Sequence, residues 1–197
     1  MNTVAKVMWQ PSATQIIDSH LTRFIAYAQE ITHKQFNDYQ SLHQWSVDHP
    51  DEFWKMVWAY CGVQYHRGWE EILVDGDKMP GAKWFVGSRL NYARNLLRHK
   101  GNRPAIIFRG ENGARRELSF SEVRHQVAGL SGALQKAGLT TGDRVAAVLP
   151  NCPEAIVAML ATTSFGGIWS SCSPDFGIDG IVDRFGQIEP KILFICD

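Results

Sequence analysis

The sequence predicts an α/β fold in which an N-terminal helical extension precedes part of a parallel-sheet α/β domain. Residues 1–62 have the apolar spacings of amphipathic helices. From residue 103 onward, short continuous apolar runs alternate with longer helical patterns, which is typical of parallel strands joined by helices. We therefore expect a helical extension at 1–62, a linker with a short helix at 63–102, and an incomplete α/β domain at 103–197.

Composition argues against several functional classes. The 197 residues contain 20 Lys plus Arg and 20 Asp plus Glu, so no net charge attracts nucleic acid. No apolar run reaches the roughly 18–20 residues of a membrane span, and the N-terminus lacks a signal or transit pattern. A cytoplasmic protein without nucleic-acid or membrane partners is expected. The four cysteines form no CxxC pair, so small buried side chains are expected rather than a zinc or redox site.

The first elements are predicted to be helices. Ser12 and Gln15 have the spacing of a capping box, in which each side chain accepts a hydrogen bond from the other residue's backbone. They should open one long helix with an apolar stripe of Ile17, Leu21, Phe24, Ala28 and Ile31. Two shorter helices should follow, separated by Pro50, because proline disfavours the helical conformation in the residue before it.

Aromatic residues are dense in the next stretch, which contains Trp45, Phe53, Trp54, Trp58, Tyr60, Tyr65 and Trp69. The pattern fits either a stacking platform for bases or an aromatic ligand, or a helical subdomain that packs its large rings onto a neighbouring domain, and we favour packing. Residues 63–86 are rich in turn formers and are predicted to be a surface linker. A short helix should follow at 92–97.

The α/β part should open with a hairpin and a helix. An Asn112-Gly113 turn between two apolar runs favours strands at 105–109 and 115–118. Ser119, with Glu122 three residues later, should cap the next helix. The buried face of that helix is predicted to comprise Val123, Val127, Leu130, Leu134 and Ala137, and Gly138 should end it.

The stretch 142–177 follows as one strand–helix–strand unit. The uninterrupted apolar run 145–149 is typical of a strand buried on both faces. After Pro150, Asn151 is predicted to cap a helix that has Glu154 near its start. Its apolar face should consist of Ile156, Met159 and Leu160.

Two glycines at 166–167 should end this helix and lead into a strand at 168–172. A further helix should carry its apolar residues inward and stop at Pro190. Those residues are Ile181, Val182, Phe185 and Ile188. The run 191–196 should then form a third parallel strand.

The best candidate site follows the strand at 168–172. Ligands of open parallel sheets bind beyond the carboxyl ends of the strands, where residues 150–152 also lie. The candidate site residues are Ser173, Pro174, Asp175, Phe176 and Gly177, which combine a hydroxyl, a carboxylate and a glycine. The alternative is that Pro174 and Asp175 only make a turn and cap the next helix, and residue types alone favour this alternative.

No motif supplies a complete catalytic site. The sequence contains no GxxxxGK[ST] loop, no GxGxxG after a strand and no GxSxG elbow. No catalytic or metal-binding residue is therefore predicted, and a dinucleotide-dependent oxidoreductase is disfavoured.

Three segments resemble the acyl-adenylate-forming acid–thiol ligases, and within them the acetyl-CoA synthetase group. LHQWSVDHPDEFWKMVWAYCGV is similar to that group's helical extension. KWFVGSRLNYARNLL resembles its W-F-P-G-x-x-L-N-Y-A-E-N-L-L segment, with Val86 in place of proline and Arg94 in place of glutamate. GDRVAAVLPNCPEAIVAMLATTSFGGIWSSCSPDFG resembles the superfamily's strand–helix–strand. Its ending WSSCSPDFG, instead of H-S-x-V-F-G-G-F-S, is typical of the acetoacetyl branch.

The resemblance implies a ligase that joins acetoacetate to coenzyme A with ATP and Mg²⁺, through an acyl-adenylate, and releases AMP and diphosphate. It implies that the phosphate loop and the catalytic lysine follow residue 197, in the remainder of the same polypeptide. Residues 1–197 would then be inactive alone and bind none of these ligands tightly, with residues 173–177 near a coenzyme A channel. Two alternatives stay open: an acetyl- or propionyl-CoA synthetase, and a non-catalytic module that binds coenzyme A or a partner.

Overall fold

The computed structural model describes residues 7–196, which form two compact units. The first unit contains the residues up to 63 together with 67–88, and the second contains 64–66 together with the residues from 89 on. Mixed helices and small sheets confirm the predicted α/β class. The elements are, in chain order, α1 (Ala13–Ile17), α2 (His20–Thr32), α3 (Tyr39–Asp48), α4 (Pro50–Tyr60), β1 (Tyr65–Arg67), β2 (Glu71–Val74), β3 (Lys83–Val86), β4 (Arg89–Leu90), α5 (Tyr92–Leu96), β5 (Pro104–Arg109), β6 (Arg115–Ser119), α6 (Phe120–Lys136), β7 (Arg144–Val148), α7 (Pro153–Ser164), β8 (Ile168–Cys172), α8 (Ile178–Ile188) and β9 (Ile192–Ile195).

The first unit starts with the predicted capping box but not with the predicted long helix. The Ser12 and Gln15 side chains accept from each other's backbone N–H groups. The helix ends at Ile17 with Asp18 as its C-cap, because the Ser19 side chain accepts from the Thr22 N–H at 3.0 Å and starts α2. The predicted stripe is therefore wrong: Ala28 is buried and Phe24 is half-buried, whereas Ile17, Leu21 and Ile31 are exposed.

Pro50 separates α3 from α4 as predicted, and it is the first residue of α4. Proline is tolerated there because the N–H groups of the first helical turn have no partner within the helix. The aromatic side chains pack within the first unit. Trp45 lies 5.5 Å from Phe36, and Trp58 lies 5.0 Å from Trp69 (centroid distances). These rings pack within their own unit, and packing onto a neighbouring domain stays a prediction. The buried cluster of this unit comprises Ala28, Phe36, Leu42, Trp45 and Met56.

Residues 63–86, expected as a linker, contain strands that the sequence did not predict. β2 and β3 pair antiparallel, with Leu73 opposite Trp84. The turn formers between them, including Asp75 at φ 55° and Gly81 at φ 141°, reverse the chain within one hairpin. The domain boundaries at residues 62 and 102 stay a prediction.

In the second unit, β1 pairs with β4. Strands β5 and β6 pair antiparallel, which confirms the hairpin predicted from Asn112-Gly113. The predicted capping box of Ser119 and Glu122 opens α6. Gly138, at φ 88°, follows the helix as expected. Val123, Val127 and Leu134 are buried and Leu130 is partly buried, but Ala137 is exposed because it already belongs to the C-terminal cap.

β7, β8 and β9 form the predicted parallel sheet, in the order β8–β7–β9. The central strand is buried on both faces, since Val145, Ala146 and Ala147 have no exposed surface. Helices α6 and α7 cover one face. Helix α8 covers the other with Phe185, whereas the predicted inward residue Val182 is exposed.

The face of α7 also differs from the prediction. Ile156 is exposed and Met159 is only partly buried, while Val157, Leu160 and Ala161 enter the core. The expectation of buried cysteines is confirmed for Cys172 and wrong for Cys61 and Cys196, which are exposed, while Cys152 is half-buried. Among residues 7–196, no helix combines the length and apolar character needed to cross a membrane.

Candidate functional site

The carboxyl edge of the parallel sheet is the candidate site. Because β7, β8 and β9 run in the same direction, their carboxyl ends meet at one edge. The Leu149 N–H donates to the Cys172 carbonyl at 3.2 Å, which joins the ends of β7 and β8. The segments that follow these two strands are therefore held side by side.

After β7, the predicted cap is wrong. Cys152, not Asn151, is the N-cap residue of α7, and its N–H donates to the Pro150 carbonyl at 2.8 Å. Pro153 occupies the first turn. The tight turn after Pro150 delays the helix by one residue, so the Asn151 side chain makes no hydrogen bond with any described residue. Its exposed amide is available to a ligand at this edge.

Glu154, in the first turn of α7, forms an ion pair with the β5–β6 hairpin. Its two carboxylate oxygens accept hydrogen bonds from Arg116 on β6 at 2.6 and 2.7 Å. The guanidinium lowers the pKa of Glu154 from 4.5 to about 2, because its hydrogen bonds and charge favour the carboxylate. This pair ties the hairpin to the first turn of α7.

After β8, residues 173–177 form a turn closed by local hydrogen bonds. The Phe176 N–H donates to the Ser173 carbonyl at 3.2 Å, and the Ser173 hydroxyl donates to the Asp175 carboxylate at 2.7 Å. The expected turn is therefore present. The expected helix cap is not Asp175, because Gly177 is the N-cap residue of α8 and has no side chain to bond the first N–H groups.

The exposed side of this turn is both aromatic and cationic. The Arg184 guanidinium of α8 lies 4.1 Å from the centroid of the Phe176 ring, within the range of a cation–π contact. A Cβ added to Gly177 would meet no atom within 4 Å. The loop therefore presents open space, a ring face and a positive charge.

A cavity of about 320 Å³ lies between α7 and β8 at the same edge. Of the five predicted site residues, only Ser173 lines it. Asn151, Trp169 and Ser171 line it as well. The sequence had placed Asn151 at a strand end of this edge and Ser171 in the polar stretch before Ser173, so Trp169 is the residue that sequence reasoning missed. A signal for it was present, because Trp169, Ser171 and Ser173 alternate along the chain and so share one face of a strand.

Two carboxylates at this edge already have partners, Glu154 with Arg116 and Asp175 with Ser173. Within residues 7–196, no group of three or more His, Cys, Asp or Glu side chains is placed to hold a metal ion. The edge can offer hydrogen bonds, an aromatic face and one guanidinium, which suits binding and positioning rather than bond cleavage.

Comparison with known families divides the chain into two matched parts. Residues 93–197 match the family described as AMP-binding enzyme. Residues 39–96 match the family described as acetyl-coenzyme A synthetase N-terminus. The first match includes the whole parallel sheet and both segments of the candidate site.

Individual relatives agree with these families. The chain is 47% identical over 190 residues to an acetoacetyl-coenzyme A synthetase of Rhizobium meliloti, a match that covers 96% of this chain and 29% of that protein. It is 36% identical over 199 residues to a malonamoyl-CoA synthetase of Penicillium aethiopicum, covering 96% and 27%.

Among solved structures, an acetoacetyl-CoA synthetase from Streptomyces lividans superposes with a TM-score of 0.91 at 41% identity, covering 97% of this chain and 30% of that one. The chain thus spans less than a third of the length of each of these relatives. Because the AMP-binding match covers more than half of its residues, the chain belongs to the AMP-binding enzyme family.

Proposed function

We propose that these residues form the N-terminal part of an acetoacetate–CoA ligase. The observation that supports this proposal most directly is the 47% identity to an acetoacetyl-coenzyme A synthetase. That match covers 96% of the chain, including the strand ends at the candidate site. In the proposed reaction, an acetoacetate oxygen attacks the α-phosphate of ATP and diphosphate leaves. The coenzyme A thiol then attacks the acyl-adenylate, forming acetoacetyl-CoA and releasing AMP.

In this proposal, residues 1–197 supply scaffold and binding surface rather than reacting groups. They contain no Ser/Thr/Gly-rich loop ending in Pro-Lys, so ATP and Mg²⁺ would bind elsewhere in the enzyme. Residues 1–197 alone would therefore be inactive, in a cytoplasmic enzyme whose other partners are its small substrates.

We assign residues 173–177 to one wall of the coenzyme A channel. The open space at Gly177 and the exposed Phe176 ring support this assignment, because a flexible thiol ligand needs an unobstructed apolar path. The Arg184 guanidinium over the Phe176 ring brings a positive charge to this loop, which favours the passage of an anionic ligand.

Substrate choice is tested by acetoacetate-dependent exchange between ATP and labelled diphosphate in the complete protein. We expect exchange with acetoacetate to exceed exchange with acetate, propionate or malonamate by at least about tenfold, which corresponds to about 1.4 kcal/mol of discrimination. Equal exchange with acetate or propionate would instead support the alternative short-chain acyl-CoA synthetase.

The channel assignment is tested at Gly177. Its φ of −58° suits any L-residue, so Gly177→Leu adds bulk without backbone strain. The KM for coenzyme A should rise several-fold while diphosphate exchange, which precedes coenzyme A entry, stays unchanged. Gly177→Ala is the matched control and should change neither quantity. An unchanged KM in Gly177→Leu would remove the loop from the channel.

The alternative of a non-catalytic module is tested separately. Calorimetry of residues 1–197 with coenzyme A, after circular dichroism has verified folding, should give no binding isotherm in the absence of ATP. Tight binding under these conditions would favour the module.

A further inference from the structure

A groove on the second unit, away from the carboxyl edge of the sheet, has an unbalanced positive charge. It lies beside α5 and α6 and encloses about 470 Å³. We call it the α5–α6 groove, and its polar lining consists of His66, Asn91, Arg94, Arg124, Ser131, Gln135 and Ser164. Among the described residues that line it, none is Asp or Glu.

Arg94 has most of its hydrogen-bonding capacity free. Its Nη1 lies 3.3 Å from His66 Nδ1 and 3.1 Å from His66 Nε2. Since the two ring nitrogens are nearly equidistant from Nη1, the guanidinium rests against the imidazole instead of bonding one nitrogen in line. The Nε–H and the Nη2 donors make no hydrogen bond to any described residue.

Arg124 enters the groove from the first turns of α6. Its Nη1 donates to the Leu97 carbonyl at 2.6 Å, which anchors one arm of the guanidinium. Neither Arg94 nor Arg124 forms an ion pair with a carboxylate among residues 7–196. Two guanidinium groups therefore share one groove without a counter-charge, and an anion would relieve their repulsion.

The floor of the groove leaves room for a small ligand. Ala93 has no exposed surface, and the adjoining face of α6 carries Ala128 and Gly132. Gln135 and Ser131, joined by a 3.3 Å hydrogen bond, supply polar groups along the same helix. A planar guanidinium can donate two parallel hydrogen bonds to two oxygens of a phosphate group. A monatomic anion has no such pair of acceptors, so phosphate is the better match.

We propose that the α5–α6 groove binds a phosphate group between Arg94 and Arg124, at a site separate from the carboxyl edge of the sheet. The inference does not depend on the proposed ligase activity.

Site-resolved arginine modification tests the proposal on the complete protein. Phenylglyoxal labelling, read by peptide mass spectrometry, is compared in phosphate and in chloride of equal ionic strength. Phosphate at several times its dissociation constant should slow labelling of both Arg94 and Arg124 by about fivefold, because only the free site reacts. Arg109, an exposed arginine on β5 outside the groove, should label equally in both salts.

Variants test whether the protection of Arg124 by phosphate depends on Arg94. Arg94→Glu should abolish the protection of Arg124, Arg94→Gln should weaken it, and Arg109→Gln should leave it intact. Circular dichroism verifies the fold of each variant. Protection of Arg124 that persists in Arg94→Glu, or no protection in the unmodified protein, would overturn the proposal.

The source of the phosphate group is resolved by two separate titrations in the same labelling assay, one with inorganic phosphate and one with AMP. Equal protection at equal concentration identifies a site for free phosphate. Stronger protection by AMP identifies a site for a nucleotide phosphate. Failure of both ligands to protect Arg94 and Arg124 refutes the site, whatever the ligase assay gives.

Discussion

The two edges of the parallel sheet differ in how completely their polar groups are paired. At the amino edge, Asp143 receives the Lys191 ammonium at 2.7 Å, the Thr140 N–H at 2.7 Å and the Thr140 hydroxyl at 2.9 Å. At the carboxyl edge, Asn151 has no hydrogen-bond partner among the described residues. The comparison separates an edge that stabilises the sheet from an edge that can receive a ligand.

Backbone contacts follow the same division. At the amino edge, the Gly142 N–H donates to the Gly166 carbonyl at 2.9 Å, and the Ile168 N–H donates to the Asp143 carbonyl at 2.8 Å. These bonds join the turn before β7 to the turn before β8. At the carboxyl edge, residues 173–177 bond mainly among themselves. A substitution should therefore cost stability at the first edge and binding at the second.

The largest contrast is expected from one substitution made at both edges. Gly166 has φ 85°, and a Cβ there would lie 2.9 Å from Thr141 Cγ2. Gly166→Ala should lower the free energy of unfolding by about 2–3 kcal/mol through backbone strain and this clash. Gly177→Ala, at φ −58° and in open space, should change it by less than about 0.5 kcal/mol. Urea unfolding of both variants measures the contrast, and equal losses would refute it.

The second largest effect is expected at Asp143. Lys191 and Thr140 hydrogen bonds lower the pKa of this carboxylate from 3.8 to about 2. Asp143→Asn should lower the unfolding temperature by several degrees near neutral pH. Because the folded pKa is depressed, the contribution of the carboxylate is complete above about pH 4 and is lost as the pH falls towards 2. Asp183→Asn, at an exposed position of α8, is the control.

The unfolding temperatures of the original protein and Asp143→Asn should accordingly converge as the pH decreases from 4 to 2. A difference that stays constant through this interval would show that the charge of Asp143 does not stabilise the amino edge.

A smaller effect, of opposite sign, is expected at Thr162. Its hydroxyl is fully buried in α7 and has no hydrogen-bond partner among the described residues. Thr162→Val keeps the shape and removes the unpaired hydroxyl, so it should stabilise the fold by up to about 1 kcal/mol. Thr162→Ser keeps the hydroxyl but loses the methyl group, and it should destabilise the fold by about 1 kcal/mol. Destabilisation by valine would indicate a bound water at this hydroxyl.

The smallest effect is expected for Glu154→Gln at the carboxyl edge. The Arg116 and Glu154 side chains are 46% and 59% exposed, so water and salt screen their attraction. The unfolding temperature should fall slightly at low salt and not at all in concentrated salt. Because the pKa of Glu154 is depressed to about 2, any contribution should also disappear as the pH falls from 4.5 to 2. A large loss at high salt would make this pair as important as Asp143.

Sequence patterns were informative where the determining residues are near neighbours. The capping boxes at Ser12 and Ser119 depend on residues three positions apart, and both were predicted correctly. The continuous apolar run of β7 predicted a strand buried on both faces. The hairpin of β5 and β6 was predicted from a local Asn-Gly turn.

Prediction failed where nearly equivalent local choices compete. Asn151 and Cys152 are adjacent candidates for the start of α7, and the turn after Pro150 selects Cys152. The long N-terminal helix is interrupted because the Ser19 side chain offers its own cap. Turn residues between 75 and 81 fit a linker and a hairpin equally well, and only the pairing of β2 with β3 distinguishes them.

The candidate site shows the same limit. Ser173 was predicted and lines the cavity at the carboxyl edge, but Asn151 was assigned to capping. These residues lie more than twenty positions apart, and only the parallel alignment of β7 with β8 brings them into one cavity. The groove residues Arg94 and Arg124 were likewise unconnected in the sequence.

By itself, the sequence determined the α/β class, most helices and strands of the second unit, and the family resemblance, because these depend on periodicity and short motifs. Tertiary structure decided the strand order β8–β7–β9, the meeting of Asn151 with Ser173 in one cavity, and the meeting of Arg94 with Arg124 in one groove. These features depend on contacts between distant segments, whose free energies exist only once the chain has packed.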